Sequence, residues 1–326
     1  MATYKGIQGY KIDAVSSDPP SPQEGQVWYN TDSGVLKYAT GSGAWSAGGN
    51  LGSGRYAPGQ WGTQSASMIT GGGYPALITT TEVYDGATWS SSPAIVTDRT
   101  YNFIAVGTTS SAMIAGGNDG PPSQAARNDT ETWNNTAWST SPATMTASLN
   151  GIASAGLKPS AIGFGGGTPN TAAGMVWNDT SWAATNSLTG TARRELGGLG
   201  TKTAAMAVGG KIDPTYTNII EIWDDTCWAA SPATLLTARA GVASFGTTTS
   251  ALMTGGYDTS GLMNTTELWN GTSMSAGAVY PAAQATMPGC GTTSLGLAAG
   301  GESPSTTDSN TTTAWNDPVV KTVTVS

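Results

Sequence analysis

The sequence predicts an all-β chain built from six copies of one four-stranded antiparallel unit, and three observations lead there. Glycine pairs or triplets recur at Gly71, Gly116, Gly165, Gly209, Gly255 and Gly300, 44–49 residues apart. Each is followed by an aromatic residue, at Tyr84, Trp133, Trp177, Trp223, Trp269 and Trp315; five residues later stand Trp89, Trp138, Trp182 and Trp228, then Met274 and Val320. Thr, Gly and Ser saturate the chain and no apolar period of about 3.6 residues appears, so a helical repeat is not expected. Four short strands repeated at this interval make a propeller blade, with small residues on the crowded inner strands and bulkier ones outside.

The elements follow in order. Residues 27–38, VWYN and VLKY around a Thr-Asp-Ser-Gly turn, read as a β-hairpin. Tyr38 lies 46 residues before Tyr84, and Trp45 precedes Arg55 by ten as Trp89 precedes Arg99, so this segment is in phase with the repeat. Each unit then shows an apolar segment, a polar turn and a second apolar segment ending in the glycines, as in AVGTTSSAMIAGG (105–117). A variable loop leads to a third strand (TTEVY, DTETW, NIIEIW, TTELW), and YDGATW, WNNTAW, WNDTSW, WDDTCW and WNGTSM turn the chain into the fourth. Residues 1–45 are expected to be an N-terminal attachment segment and 46–326 the propeller. The alternative is a seventh, composite blade made by the hairpin and the C-terminal VVKTVTVS. Because the last unit needs VVKTVTVS as its own fourth strand, six blades preceded by a hairpin are expected.

Composition removes several function classes. The chain has no histidine, which excludes His-based triads, imidazole acid–base chemistry and His–metal sites, and the copper-radical oxidases built on similar repeats. Charged residues make up 10% against about a quarter in ordinary soluble proteins, and the net charge is −8 without a basic stripe, so nucleic acid is not an expected partner. No apolar run is long enough to span a membrane, and MATYKGIQGYKIDAV does not read as a signal peptide. Cys227, in an outer hairpin turn, and Cys290, between the first two strands of the last unit, are expected to stay unpaired. No catalytic residues, metal or cofactor are expected. A polysaccharide depolymerase would need a carboxylate pair about 5–10 Å apart, and the repeat places none.

The charged residues that do occur are patterned. Arg55, Arg99, Arg193 and Arg239 precede first strands, and Glu82, Glu131, Glu221 and Glu267 stand two residues before the third-strand aromatic. The third and sixth units carry Ser148 and Gln284 in place of the arginine, and Met175 and Thr313 in place of the glutamate, so the two residues come and go together. A bidentate, partly buried Arg–Glu pair inside each of four blades is the expected structure. Recognition is expected at the variable second-to-third loops, which a rigid scaffold presents on one face. Their candidate ligand-binding residues are Tyr74, Asp119, Arg127, Lys211, Tyr216, Tyr257 and Asp258, suited to hydrogen bonding and to stacking on sugars.

The double glycine, aromatic and later Trp over residues 46–326 resemble the kelch repeat, which implies a propeller and no particular function. The phrase PQEGQVWYNTDSGVLKY followed by GAWSAGGNL, with repeats after it, is similar to segments of tail-fibre and other virion proteins of tailed bacteriophages, particularly aquatic phages. This resemblance implies a virion structural protein on the particle surface. Its N-terminal segment, with Trp28, Tyr29 and Tyr38, would attach to other tail or capsid proteins, and its loop face would contact host surface glycan. The alternative it leaves open is a capsid decoration or head-fibre protein.

Overall fold

The computed structural model describes residues 12–19, 26–40, 43–305, 308–317 and 319–323. Most of the stretch read for a signal peptide, residues 22–25 of the phage-like phrase and the last three residues of VVKTVTVS lie outside it. The described residues hold strands, turns and loops and no helix. Blade one comprises Gly59–Thr63, Ala66–Thr70, Thr81–Tyr84 and Trp89–Ser92, from the axis outward. Blades two, three, four and five repeat this order, beginning at the inner strands Ile104–Thr108, Ala153–Leu157, Gly197–Thr201 and Ala243–Thr247. Blade six has Gly289–Gly291, Leu295–Ala299 and Thr312–Asn316 as its first three strands. Consecutive inner strands touch, and that of blade six touches that of blade one, closing the ring.

A hydrogen-bond cycle explains the double glycines. The second glycine of each blade donates its N–H to the carbonyl of the residue that begins the next blade: Gly72 to Arg99, Gly117 to Leu149, Gly166 to Arg193, Gly210 to Arg239, Gly256 to Gln284, and Gly301 back to Arg55, all at 2.7–2.9 Å. Both glycines have positive φ in every blade, 64° and 85° at Gly71 and Gly72, a region that costs an L-residue about 1–2 kcal/mol. A Cβ on Gly72 would also stand 2.6 Å from the Tyr56 carbonyl. The glycine pair is thus a blade-joining device.

The aromatics fasten four of the blades at their other end. Trp133, Trp223, Trp269 and Trp315 donate their indole N–H to carbonyls of the first-to-second-strand turn, at Thr109, Lys202, Thr248 and Thr293, at 2.8–2.9 Å. The fourth-strand Trp reaches the preceding blade, as Trp182 does to Thr130 Oγ1 (2.9 Å) and Trp89 to Thr312 Oγ1 (2.8 Å). Cys227 is exposed, and Cys290 sits buried within the inner strand of blade six; both are free thiols.

The outer strand of blade six differs from the expectation. It is Ala44–Ala47, from the N-terminal side, paired with Thr312–Asn316 so that Trp45 faces Trp315. The division expected at residue 45 therefore falls inside a strand. Trp45, rather than Val320, is the second aromatic of the sixth unit, and it donates to Thr266 Oγ1 of blade five at 3.1 Å as Trp89 and Trp182 do to their preceding blades. The strand Val319–Thr322 pairs with Val35–Thr40 in a separate four-stranded sheet with Val27–Asn30 and Asp13–Val15. The hairpin and the C-terminal strand do combine, but beside the ring rather than as a blade within it.

That terminal sheet hangs from the end of blade six where the first-to-second and third-to-fourth turns emerge, since two residues separate Asn316 from Val319 and three separate Thr40 from Ala44. Asp317 lies in this junction, its N–H donating to Ser294 O at 3.1 Å and its Oδ1 buried without a partner among the described residues. Burial pushes its carboxyl up to about 6. A carboxyl raised in the folded state favours folding below its unfolded value, and that contribution is lost as pH rises from about 4 to 6. Asp317→Asn is therefore expected to stabilise the protein at pH 7.5 by about 1 kcal/mol after solvent screening, and to flatten the melting curve between pH 4 and 6. A melting temperature unchanged at pH 7.5 would count against a buried, ionised Asp317.

Candidate functional site: the axial mouth of the loop face

The four arginine–glutamate pairs form inside their blades and support the loop face. Arg55 Nη2 meets Glu82 Oε1 at 2.8 Å, Arg99 Nη2 meets Glu131 Oε1 at 2.8 Å, Arg193 Nη1 meets Glu221 Oε1 at 2.6 Å, and Arg239 Nη2 meets Glu267 Oε1. Each contact is single-pronged rather than bidentate, because other guanidinium N–H groups serve the glycine pair: Arg55 Nη1 donates to Gly71 O and Thr80 O, both at 2.9 Å. Each glutamate also accepts N–H bonds from the crossing that leads into its blade, as Glu131 does from Val96 (2.7 Å) and Thr97 (3.0 Å). In blade six Gln284 replaces the arginine and donates to Gly300 O, Ser309 Oγ and Thr311 Oγ1. In blade three the residue at the arginine place is Leu149 rather than Ser148, as the Gly117 hydrogen bond shows, and it packs with Met145 and Met175.

Just past the arginine place, each crossing turns at the axis. Glycines at Gly151 and Gly241 adopt φ of 61° and 62°, but Ala57 (45°), Tyr101 (73°), Asn102 (47°), Glu195 (54°) and Thr286 (51°) hold the same region without being glycine. N–H groups link these turns around the axis: Gly151 to Tyr101 O, Glu195 to Gly151 O, Gly241 to Glu195 O and Thr286 to Gly241 O, at 2.7–2.8 Å. Non-glycine residues held at positive φ concentrate at functional sites. Bridges to the residue after the double glycine, Arg194 to Lys211, Ala240 to Tyr257 and Ala285 to Glu302, bring those three loop residues to the same mouth.

Glu195 is the centre of the resulting cluster and is 2% exposed. Its carboxylate accepts from the Tyr257 hydroxyl of blade five and from Arg194 Nε at 3.1 Å, and its charge acts on Tyr101 at the start of blade two. Arg194 continues to Asp213 and to Asn170 Oδ1 (3.2 Å). Burial first, then the field of Glu195, pushes Tyr101 up to about 12, and burial likewise raises Tyr257 and Tyr56. All three phenols therefore stay protonated near neutral pH and act as donors or as ring faces. The Tyr56 ring lies 5.9 Å from Tyr74 and 6.2 Å from Tyr101, and Tyr216 lies 5.4 Å from Tyr257, so the tyrosines form an arc around the mouth.

Of the seven loop residues named from sequence, the structure brings four to this arc: Tyr74, Lys211, Tyr216 and Tyr257. Lys211 Nζ sits 3.3 Å from Asp213 and 6.0 Å from the centre of the Tyr216 ring. The other three serve their own loops. Asp119 accepts from Ser123 Oγ and the Ala125 N–H, Arg127 Nε pairs with Asp129 at 2.9 Å, and Asp258 accepts the Ser260 N–H. Sequence reasoning missed Tyr56, Tyr101, Arg194 and Glu195 because it looked to the variable loops and passed over the crossings, and it left out Glu302 although that residue opens the last variable loop. The usable signal was the place two residues past the arginine, where Gly241 of one unit is Glu195 in another.

The proposed attachment residues divide as well. Trp28 is fully buried and donates Nε1 to Asp18 Oδ1 at 3.1 Å, so it is core of the terminal sheet and not a contact surface. Asp18 also holds Asn30 (2.8 Å) and Lys37 (2.7 Å). Tyr29 is 41% exposed on the opposite face with Val27, and the register places half-buried Leu36 and Tyr38 beside them.

Among the described residues, no group of three or more His, Cys, Asp or Glu is placed to hold a metal ion. No protein-family model matches the sequence, and no curated protein matches it. Among solved structures the chain is similar to the one titled "Structure of YjhT", with a TM-score of 0.66 and 13% identity, over 85% of this chain and 98% of that one. The likeness is one of fold, a β-propeller.

Proposed function

We propose that the chain is a binding protein rather than an enzyme, carried on a bacteriophage particle through its terminal sheet and contacting host surface glycan through the axial mouth. The observation that carries this reading is the polarity of the molecule. The terminal sheet leaves blade six at the turn end, whereas the tyrosine arc and Glu195 lie on the loop end, where the second-to-third loops and the crossings emerge. A protein fastened by the first would present the second outward. The terminal sheet also contains the VWYNTDSGVLKY hairpin that resembles virion proteins, and its exposed Tyr29 and Val27 offer an apolar contact face.

Rigid placement favours recognition: the mouth residues sit on crossings fixed by the hydrogen-bond cycle, so little conformational freedom is lost when a ligand orders there. Phenol rings and hydroxyls are the groups that stack on and hydrogen-bond to sugars. Gold-labelled antibody against the chain, applied to intact particles, tests the reading. Label on the tail or its fibres is the expected result. Label spread over the head would make it a capsid decoration protein, and unlabelled particles would overturn the virion assignment.

A further inference from the structure

Carboxylates outnumber cations around the mouth: Glu195, Asp213, Glu302 and Asp308 stand against Arg194 and Lys211, and both cations are already engaged by Glu195 or Asp213. Glu302 differs from its neighbours. Its main chain is fixed beside Thr286 by paired bonds to Ala285 (2.8 and 3.0 Å), yet among the described residues no hydrogen bond or ion pair reaches its carboxylate. The group is half-buried, and burial together with Glu195 raises its pKa. Tyr56 lies within electrostatic reach of both Glu195 and Glu302, and its hydroxyl has no partner among the described residues.

A second observation comes from beneath the mouth. A cavity of about 120 Å³ opens there, lined by Gln60, Asn102, Ser244 and Thr286 among others. Gln60 and Thr286 are 5% and 4% exposed, and among the described residues Gln60 Oε1 and Thr286 Oγ1 have no hydrogen-bond partner. Buried polar atoms are seldom left in this state, and here two line one cavity. Gln60 Oε1 and an ionised Glu302 can only accept, so a guest satisfying them must donate. A neutral sugar hydroxyl both donates and accepts, whereas an ammonium only donates, carries the compensating charge, and is attracted to tyrosine faces.

We propose that the axial mouth binds an ammonium group that bears N–H donors, as carried by an amino sugar or by an ethanolamine-substituted surface polymer. This rests on reading the mouth as the recognition site. Titration calorimetry of the full chain with glucosamine and ethanolamine tests it, with N-acetylglucosamine as the neutral analogue, choline as the organic cation without N–H donors, and potassium chloride as the bare-cation control. At least one of the two is expected to bind ~tenfold or more tightly than N-acetylglucosamine and than choline, and preference for glucosamine or for ethanolamine identifies the source. Glu302→Gln is expected to weaken that binding ~tenfold without lowering the melting temperature. Lowering the pH through the raised range of Glu302 should weaken binding in the unmodified protein, which keeps the proposal testable if the variant does not fold. Equal binding of the N-acetyl analogue, heat from potassium alone matching the ligands, or an unaffected Glu302→Gln would overturn it. If no ammonium ligand binds while label still marks the tail, the ligand assignment fails and the adhesin reading stands; unlabelled particles that still yield ammonium binding reverse that outcome.

Discussion

Replacing Glu221 with glutamine is expected to cost about 3–5 kcal/mol of folding stability, because it leaves a guanidinium stranded in the interior of blade four. Arg193 and Glu221 have no exposed side-chain surface, and their contact is 2.6 Å. The lost carboxylate would also weaken the bonds from the Thr189 N–H and hydroxyl and the Gly190 N–H that tie the incoming crossing to the third strand. The chain contains its own control, since blade three has Leu149 and Met175 where blade four has Arg193 and Glu221, and both are buried. The double replacement Arg193→Leu with Glu221→Met should therefore return to within about 1 kcal/mol of the unmodified protein, as apolar replacements of buried pairs commonly do. Urea unfolding of the two single variants and the double variant measures the coupling directly. The sign of the pH dependence gives a second check. Burial raises the Glu221 carboxyl, but the Thr189 and Arg193 hydrogen bonds and the arginine charge outweigh it and hold it below the usual carboxylate range. Stability from such a group is present above its unfolded value and is lost as pH falls through the lowered one. The double variant should lose less stability between pH 4.5 and 3 than the unmodified chain. A Glu221→Gln variant as stable as its parent would show that the pair is not doing this job.

The comparison of blades also shows where sequence stopped short. The ion pairs were legible because two charged residues in a charge-poor chain appear and disappear together. The third unit was misaligned by one residue for the same reason. Ser148 looked like a polar substitute for arginine, but an apolar swap retains the main-chain carbonyl, and only the hydrogen bond from Gly117 identifies Leu149 as the counterpart. The mouth was half legible. Tyr257 and Lys211 follow glycine pairs and were noticed with the variable loops, whereas Glu195 and Tyr101 lie in crossings whose lengths hardly vary. Their distinguishing mark is a positive φ, 54° at Glu195, which shows in sequence as the absence of a glycine where sister units have one. Strand exchange at the termini was misread because neighbouring segments pair by default, and the last unit seemed to own the strand that follows it. The ten-residue interval from Trp45 to Arg55, matching that from Trp89 to Arg99, already contained the alternative.

That exchange carries the second large effect: Trp45→Ala is expected to cost about 3 kcal/mol, as truncation of packed aromatics does. Trp45 is the knot that holds the ring shut. Its ring lies 4.8 Å from Tyr280, 5.2 Å from Trp315 and 6.4 Å from Phe245, and its indole N–H reaches Thr266 of blade five. A residue near one end of the chain thus joins the two last blades to each other. The strand that bears it also covers Thr312–Asn316, which would otherwise be an open sheet edge, a known route to aggregation. Two truncations separate closure of the ring from the terminal sheet. A chain starting at residue 48 loses both, and a chain ending at Asp317 keeps Ala44–Ala47 and loses only Val319–Thr322 from the terminal sheet. Scanning calorimetry should show the propeller transition lowered steeply or abolished in the first and preserved in the second. Equal lowering in both would mean that the terminal sheet supports the ring directly, and blade six would then owe its stability to that sheet as much as to the strand it borrows.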